Sequence, residues 1–182
     1  ATARYDTPSG KIPSTNVEVN GEQLQALARL FTMTGEAKYL DWADRLADYY
    51  FNDEDFVVTR LRDHGCEIIG GLGLLHAVET THRPDRAKQY APKLKHLFDT
   101  ILARGCNEDG MMYDTLRESQ TGLKGVVGAA VEAVTGKKED RLSDGWGYNY
   151  VGYLCYDMAT GTNTYRAQVE RQPRAEPRER PA

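Results

Sequence analysis

The chain has few cysteines, and they lack the spacings by which cysteines usually bind zinc or form a disulfide framework. Cys66, Cys106 and Cys155 are an odd number, with no Cys-x-x-Cys pair and no zinc-type Cys/His set. We therefore expect buried free thiols, in a reducing compartment or in a bacterial periplasmic protein that leaves them unpaired. No metal and no cofactor is implied.

An excess of basic charge and a long apolar run are also absent. The net charge is −4, which argues against nucleic acid as the main partner, because phosphate binding needs a net basic face. No run approaches the roughly 18 apolar residues of a membrane span, and the chain begins without a signal peptide. Because it begins with Ala1, we expect a processed product or an excised piece, and its location stays open between cytoplasm and periplasm.

What the sequence does contain is a repeated helical hairpin. Residues 27–35 end in Thr-Gly and are followed, after three residues, by Tyr39 and a second helix; residues 153–161 end in Thr-Gly and are followed by Tyr165 in the same way. Residues 74–81 lead into a helix near Pro84. A unit of this kind cannot bury its apolar face alone and packs against neighbours of its own kind. The sequence predicts about three hairpins.

Apolar periodicity divides the chain into a lead-in, a helical domain and a tail. We predict an extended lead-in over residues 1–19, a helical-hairpin domain over 20–170 and a disordered tail over 171–182, where prolines interrupt any helix. The third helix and the last are apolar on nearly all sides, which is typical of buried helices. The predicted helices are 21–33, 36–51, 66–80, 84–103, 122–135 (weakened by three glycines), 146–160 and a start at 165–169, with an extended piece at 111–114.

The second helix carries a polar face opposite its apolar stripe. Asp41, Asp44, Arg45 and Asp48 lie on that face. We interpret them as a solvated surface.

Three motifs resemble the six-hairpin glycosidase superfamily, which includes unsaturated glucuronyl hydrolases and whose toroid is shared by polysaccharide lyases. They are Ala26-Leu27-Ala28-Arg29-Leu30 with Thr34-Gly35 and Tyr39-Leu40, Asp144-Gly145-Trp146-Gly147-Tyr148 with Thr160-Gly161 and Tyr165, and Asp109-Gly110-Met111-Met112-Tyr113-Asp114, in which Met112 stands where the family has Trp. The resemblance implies an all-α chain, an α/α toroid-type array that is part of a six-hairpin barrel. Its open edges would associate with a second copy or with a missing partner half.

Candidate site residues gather where the first, third and last helices begin, because the connections at that end, 52–65 and 104–145, are long. We call this end the mouth. Carboxylates and aromatic rings there suit a carbohydrate ligand, and helix N-termini favour an anionic one. The catalytic candidates are Glu67, Asp144, Asp114, Asp63 and His64. The substrate-binding candidates are Trp146, Tyr148, Asn149, Tyr113, Glu22, Gln23 and Arg62.

Two reactions remain open for these residues. A glycoside hydrolase needs two carboxylates beside the scissile bond, and Asp63 or Glu67 would pair with Asp114 or Asp144. A polysaccharide lyase would use His64, Tyr113 or Tyr148 as the base beside a neutralised uronate.

Other interpretations give these residues no catalytic role. Asp144 would cap a helix, Asp63 and His64 would pair within their loop, and Trp146 and Tyr148 would fill the core. The chain would then be a non-catalytic helical-repeat binding or scaffold module, or an inactive piece of a larger toroid. A cyclase on the same fold lacks support, because the sequence has neither a DDxxD-type motif nor a Cys/His zinc set.

Overall fold

The computed structural model describes residues 4–53, 55–117, 142–143 and 146–171, and these residues are mostly helical. The predicted helix at 122–135, Asp144 and residues 172–182 of the predicted tail lie outside them. A two-stranded antiparallel hairpin pairs Tyr5 with Ile12. The named elements are β1 (Tyr5–Thr7), β2 (Gly10–Ile12), α1 (Val17–Thr34), α2 (Ala37–Phe51), α3 (Glu67–His82), α4 (Pro84–Gly105) and α5 (Trp146–Thr160), and residues 166–171 are also helical.

Helix α1 begins four residues earlier than the periodicity predicts. Asn16 has extended backbone angles, and its Oδ1 accepts a hydrogen bond from the Val19 backbone N–H at 3.0 Å. This side-chain cap satisfies one of the amides that a helix start leaves free. The predicted lead-in is therefore a β-hairpin followed by the first turn of α1, and Glu18 lies in that turn.

The helices form two layers, with α3 in the middle of the front layer between α1 and α5. Helix α2 packs behind α1, and α4 packs behind α3. Glycines bring the front helices into backbone contact: a Cβ added at Gly21 would lie 2.3 Å from the Glu67 carbonyl carbon, and one added at Gly73 would lie 2.6 Å from the Gly152 Cα. Helix α3 is thus buried on both flanks, as its apolar sequence predicts.

The turns at the far end of the hairpins have the predicted Thr-Gly form. Gly35 and Gly161 have φ angles of 72° and 66°, a left-handed conformation that glycine adopts without a steric penalty. After Gly161 the chain is held by Asp157, whose Oδ2 accepts hydrogen bonds from the backbone amides of Tyr165 at 2.9 Å and Arg166 at 3.0 Å. Asp157 thereby caps the helical segment at 166–171 from the neighbouring helix.

Aromatic rings fill the space between α4, α5 and the segment that follows α5. Phe98 is fully buried, and its ring stacks on that of Tyr153 with centroids 4.3 Å apart. Tyr165 meets both rings edge-on. These contacts join the second and third hairpins.

Two surface predictions are wrong. Helix α5 is not buried on all sides, because Tyr148, Val151, Leu154 and Met158 are exposed, Met158 by 81%. In α2, Asp44 and Asp48 are not solvated: they are 5% and 2% exposed and lie against α4. The polar face of a helix has the same sequence periodicity whether it faces water or packs against buried residues of opposite charge.

Candidate functional site

The two long connections meet beside the N-terminal end of α3. The Leu61 backbone N–H donates to the Asp114 carbonyl oxygen at 2.8 Å, and the Leu116 N–H donates to the Thr59 carbonyl oxygen at 2.8 Å. The loop at 59–66 is therefore fixed to the extended piece at 112–116. This brings Arg62, His64 and Asp114 to the start of the helix that begins with Glu67.

His64 is held in an unusual backbone conformation by two glutamates. Its φ angle is 62°, a left-handed value that residues other than glycine adopt only uncommonly. Its backbone N–H donates to Glu67 Oε1 at 3.2 Å, and its Nδ1 lies 2.5 Å from Glu18 Oε1. The surrounding contacts thus fix both the backbone and the ring, leaving Nε2 as the nitrogen not tied to Glu18. Strained residues of this kind are concentrated at functional sites.

Glu67 has one oxygen that is used and one that is not. Oε1 accepts from His64, whereas Oε2 is enclosed and has no hydrogen-bond partner among the described residues. The carboxyl lies in the first turn of α3, where the helix dipole favours negative charge. A buried polar atom without a partner is costly, so Oε2 is an acceptor whose need for a hydrogen bond is not met among the described residues.

Arg62 and Asp114 form an ion pair beside this carboxyl. Arg62 Nε lies 3.4 Å from Asp114 Oδ2, and the Asp114 side chain is 11% exposed. The pairing orients the guanidinium and leaves its two terminal nitrogens outside this contact. Asp114 is therefore better suited to positioning Arg62 than to attacking a substrate.

Other candidates take up supporting or peripheral positions. Asn149 is fully buried, and its Nδ2 donates to the Leu61 carbonyl oxygen at 2.7 Å. The Ser143 hydroxyl donates to the same oxygen at 3.2 Å, so both side chains hold the loop that carries Arg62 and His64. The Tyr113 ring is buried and faces the Arg117 guanidinium at 3.9 Å.

The remaining candidates divide by exposure. Asp63, Glu22 and Tyr148 are exposed, and Gln23 is half-buried. Asp144 and the Trp146 side chain lie outside the described residues. Glu18 is a contact that the sequence prediction missed, because α1 was predicted to begin after it; Asn16 followed by an acidic residue was the available signal.

The Glu18–His64 pair predicts a measurable proton affinity. The hydrogen bond to Glu18, together with its negative charge, raises the pKa of His64 above its usual 6.5. The pair therefore stabilises the fold fully below the unfolded-state pKa, and the contribution is lost as the pH rises through the folded-state pKa. We expect NMR titration to show this raised pKa in the wild type and a lower value in Glu18→Gln. Glu22→Gln, one turn further along α1, is the matched control; an unchanged His64 titration in Glu18→Gln would contradict the pairing.

A separate cavity of about 260 Å³ lies between the end of α2 and α4. Its walls include Tyr50, Phe51, Phe56 and Leu97. None of the predicted site residues lines it.

Among the described residues, no helix is both long and apolar enough to cross a membrane, and no three His, Cys, Asp or Glu side chains are grouped to hold a metal ion.

Comparison of the chain with models of protein families, with curated proteins and with solved structures gives no match. The resemblance to the six-hairpin glycosidases therefore depends on the motifs quoted above.

Proposed function

We propose that the chain is a carbohydrate-active protein that binds a uronate-containing glycan at the mouth, and that its two helical layers are part of an α/α toroid. The observation that carries the proposal is the fixed arrangement of Glu18, His64 and Glu67, which orients a His64 side chain that is 63% exposed. An exposed imidazole of this kind can contact a sugar or its carboxylate. The alternation of front and back helices supports the toroid part of the proposal.

Of the two reactions, the geometry favours β-elimination by a lyase. Glu18 accepts at Nδ1, orients the imidazole and makes it more basic. In its neutral form, His64 would take the uronate C5 proton at Nε2 while the C4–O glycosidic bond breaks and a C4–C5 double bond forms, and the proton would then pass to the leaving glycosidic oxygen. The Arg62 guanidinium would bind that carboxylate and neutralise its charge, which makes the proton easier to remove. Glu67 would keep the His64 backbone in place through Oε1.

Hydrolysis remains the alternative within the same site. Glu67 would then be one of the two carboxyl groups that flank the scissile bond. The ion pair of Asp114 with Arg62 argues against Asp114 as the second group. Asp63 lies on the same loop and is the exposed carboxylate to test.

The assay follows the ultraviolet absorbance of the unsaturated uronate with anionic polysaccharides and with their unsaturated oligosaccharides. A rise that His64→Ala lowers by about 10²-fold or more supports the lyase, and a fall that Glu67→Gln or Asp63→Asn abolishes supports the hydrolase. His96→Ala, an exposed histidine of α4, is the control and keeps full activity. The proposal would be contradicted if none of these glycans gave either turnover or calorimetric binding.

A second candidate, a non-catalytic repeat module, is favoured by the exposed apolar stripe of α5. An array that ends in an apolar helix face is incomplete without a neighbour. Glycan binding with a measurable affinity but no change in absorbance would support this candidate over an enzyme.

A further inference from the structure

A buried polar network joins α2, α3 and α4 at a distance from the mouth. Glu79 is fully buried near the C-terminal end of α3, twelve residues after Glu67 and thus about 18 Å along the helix. Asp44 and Asp48 of α2 are nearly as buried. The Ser9 hydroxyl, in the turn of the β-hairpin, donates to Asp48, so the hairpin belongs to the same network.

The aspartates accept the hydrogen bonds that the arginines and Tyr90 of this network donate. Arg83 donates to Asp44 Oδ2 at 2.6 Å and to Asp41 Oδ1 at 2.5 Å, and Arg86 donates to Asp48 Oδ1 at 2.5 Å. The Tyr90 hydroxyl donates to Asp48 Oδ1 at 3.0 Å. In the part of the chain that the structure describes, nothing donates to either oxygen of Glu79.

The charges of the buried groups also balance without Glu79. The carboxylates of Asp44 and Asp48 match the guanidiniums of Arg83 and Arg86, while Asp41 is 54% exposed at its side chain. A third buried carboxylate would have no counter-charge, and an uncompensated buried charge is strongly unfavourable. Burial, and then the neighbouring Asp44 carboxyl, raise the pKa of Glu79 well above its usual value.

We propose that Glu79 keeps its proton in the folded protein and donates it to the Asp44 carboxylate, so that this proton is a structural part of the joint between α3, α2 and α4. The joint is a pH-sensitive device. Loss of the proton leaves two neighbouring carboxylates in a buried space and loosens the contact between α2 and α4 beside Glu79.

The direction of the pH dependence follows from the raised pKa of this acid. Once the pH exceeds the usual Glu79 value of 4.5, the folded state holds one proton that the unfolded state has released. Stability therefore falls as the pH rises from there to the folded-state pKa, and the folding equilibrium constant decreases by up to about tenfold per pH unit. Arg83 and Arg86 stay charged throughout, and burial raises the pKa of Tyr90 as well, so that Tyr90 remains protonated.

The test compares the whole chain with Glu79→Gln, whose amide supplies a neutral donor of the same shape. Infrared spectroscopy of the folded wild type at neutral pH should show a protonated carboxyl band that Glu79→Gln lacks. Denaturant titrations from about pH 6 to about pH 9 should show the ratio of wild-type to variant folding constants falling by about 100-fold or more. Glu22→Gln, an exposed glutamate of α1, is the control and follows the wild type.

Two results would overturn the proposal. One is the absence of a protonated carboxyl band in the folded wild type at neutral pH, a measurement that does not depend on any variant folding. The other is a parallel pH profile for wild type and Glu79→Gln. If Glu79→Gln does not fold, Asp44→Asn replaces it: the acceptor becomes an amide that can donate to an ionised Glu79, so the carboxyl band should disappear at a lower pH than in the wild type, and an unchanged band would count against the proposal.

Discussion

Gly152→Ala is expected to lower the free energy of unfolding by about 3 kcal/mol, measured by equilibrium denaturation. The new Cβ would lie 2.5 Å from the Ile69 carbonyl oxygen and 2.9 Å from its carbonyl carbon. Both are backbone atoms of α3, which cannot rotate away as a side chain can. Alanine is the better helix former by about 1 kcal/mol, but separating α5 from α3 costs more than that preference returns.

Gly147→Ala is the matched control in the same helix. A Cβ added there meets no other atom within 4 Å, so only helix propensity changes. We expect a small gain in stability, up to about 1 kcal/mol. If the two alanine variants were equally stable, the close approach of α5 to α3 would be wrong.

Phe98→Ala should destabilise the protein by about 3–5 kcal/mol. The ring is fully buried, stacks on Tyr153 and meets Tyr165 edge-on with centroids 5.7 Å apart. The two tyrosine hydroxyls are themselves fixed, by the Phe98 carbonyl oxygen and by Asp99 respectively. The cavity left by the missing ring therefore cannot collapse easily, and the cost lies in the upper range for such changes.

The control for Phe98→Ala is an aromatic residue on the surface. Trp42 of α2 is 47% exposed, and Trp42→Ala should change the free energy of unfolding by no more than about 0.5 kcal/mol. Chemical denaturation of both variants, with the slope of the transition checked for two-state behaviour, separates them. A loss below about 1 kcal/mol for Phe98→Ala would mean that the second and third hairpins are not joined by these rings.

The helices could be predicted from the sequence because each has a long apolar period and a clear end. The predicted bounds of α2, α3, α4 and α5 differ from the observed ones by two residues or fewer. The start of α1 was missed because the Asn16 side-chain cap, and not the apolar periodicity, marks where the helix begins. The burial of Asp44 and Asp48 could not be predicted, since it depends on two arginines about 40 residues away, Arg83 just before α4 and Arg86 in its first turn.

The candidate site was predictable only in part for a similar reason. The shared direction of the first, third and last helices places Glu67 and the loop that carries Arg62 and His64 at one end. The left-handed backbone of His64 and its contact with Glu18 depend on how the loop is pinned to residues 112–116. The use of Asn149 as a support for Leu61 is likewise a tertiary contact with no local signal.

The loops are short at one end of the hairpins and long at the other, and this difference has a consequence for evolution. At one end, Gly35 and Gly161 close short turns, and at the other the connections carry His64 and Asp114. The glycine contacts that hold α1, α3 and α5 together lie inside the helices. Exposed positions of the long connections, such as Asp63, can therefore change with little effect on folding, whereas Leu61 and Met112 are fully buried and are constrained by the core. Selection can thus change what the mouth recognises at these exposed positions while the scaffold persists.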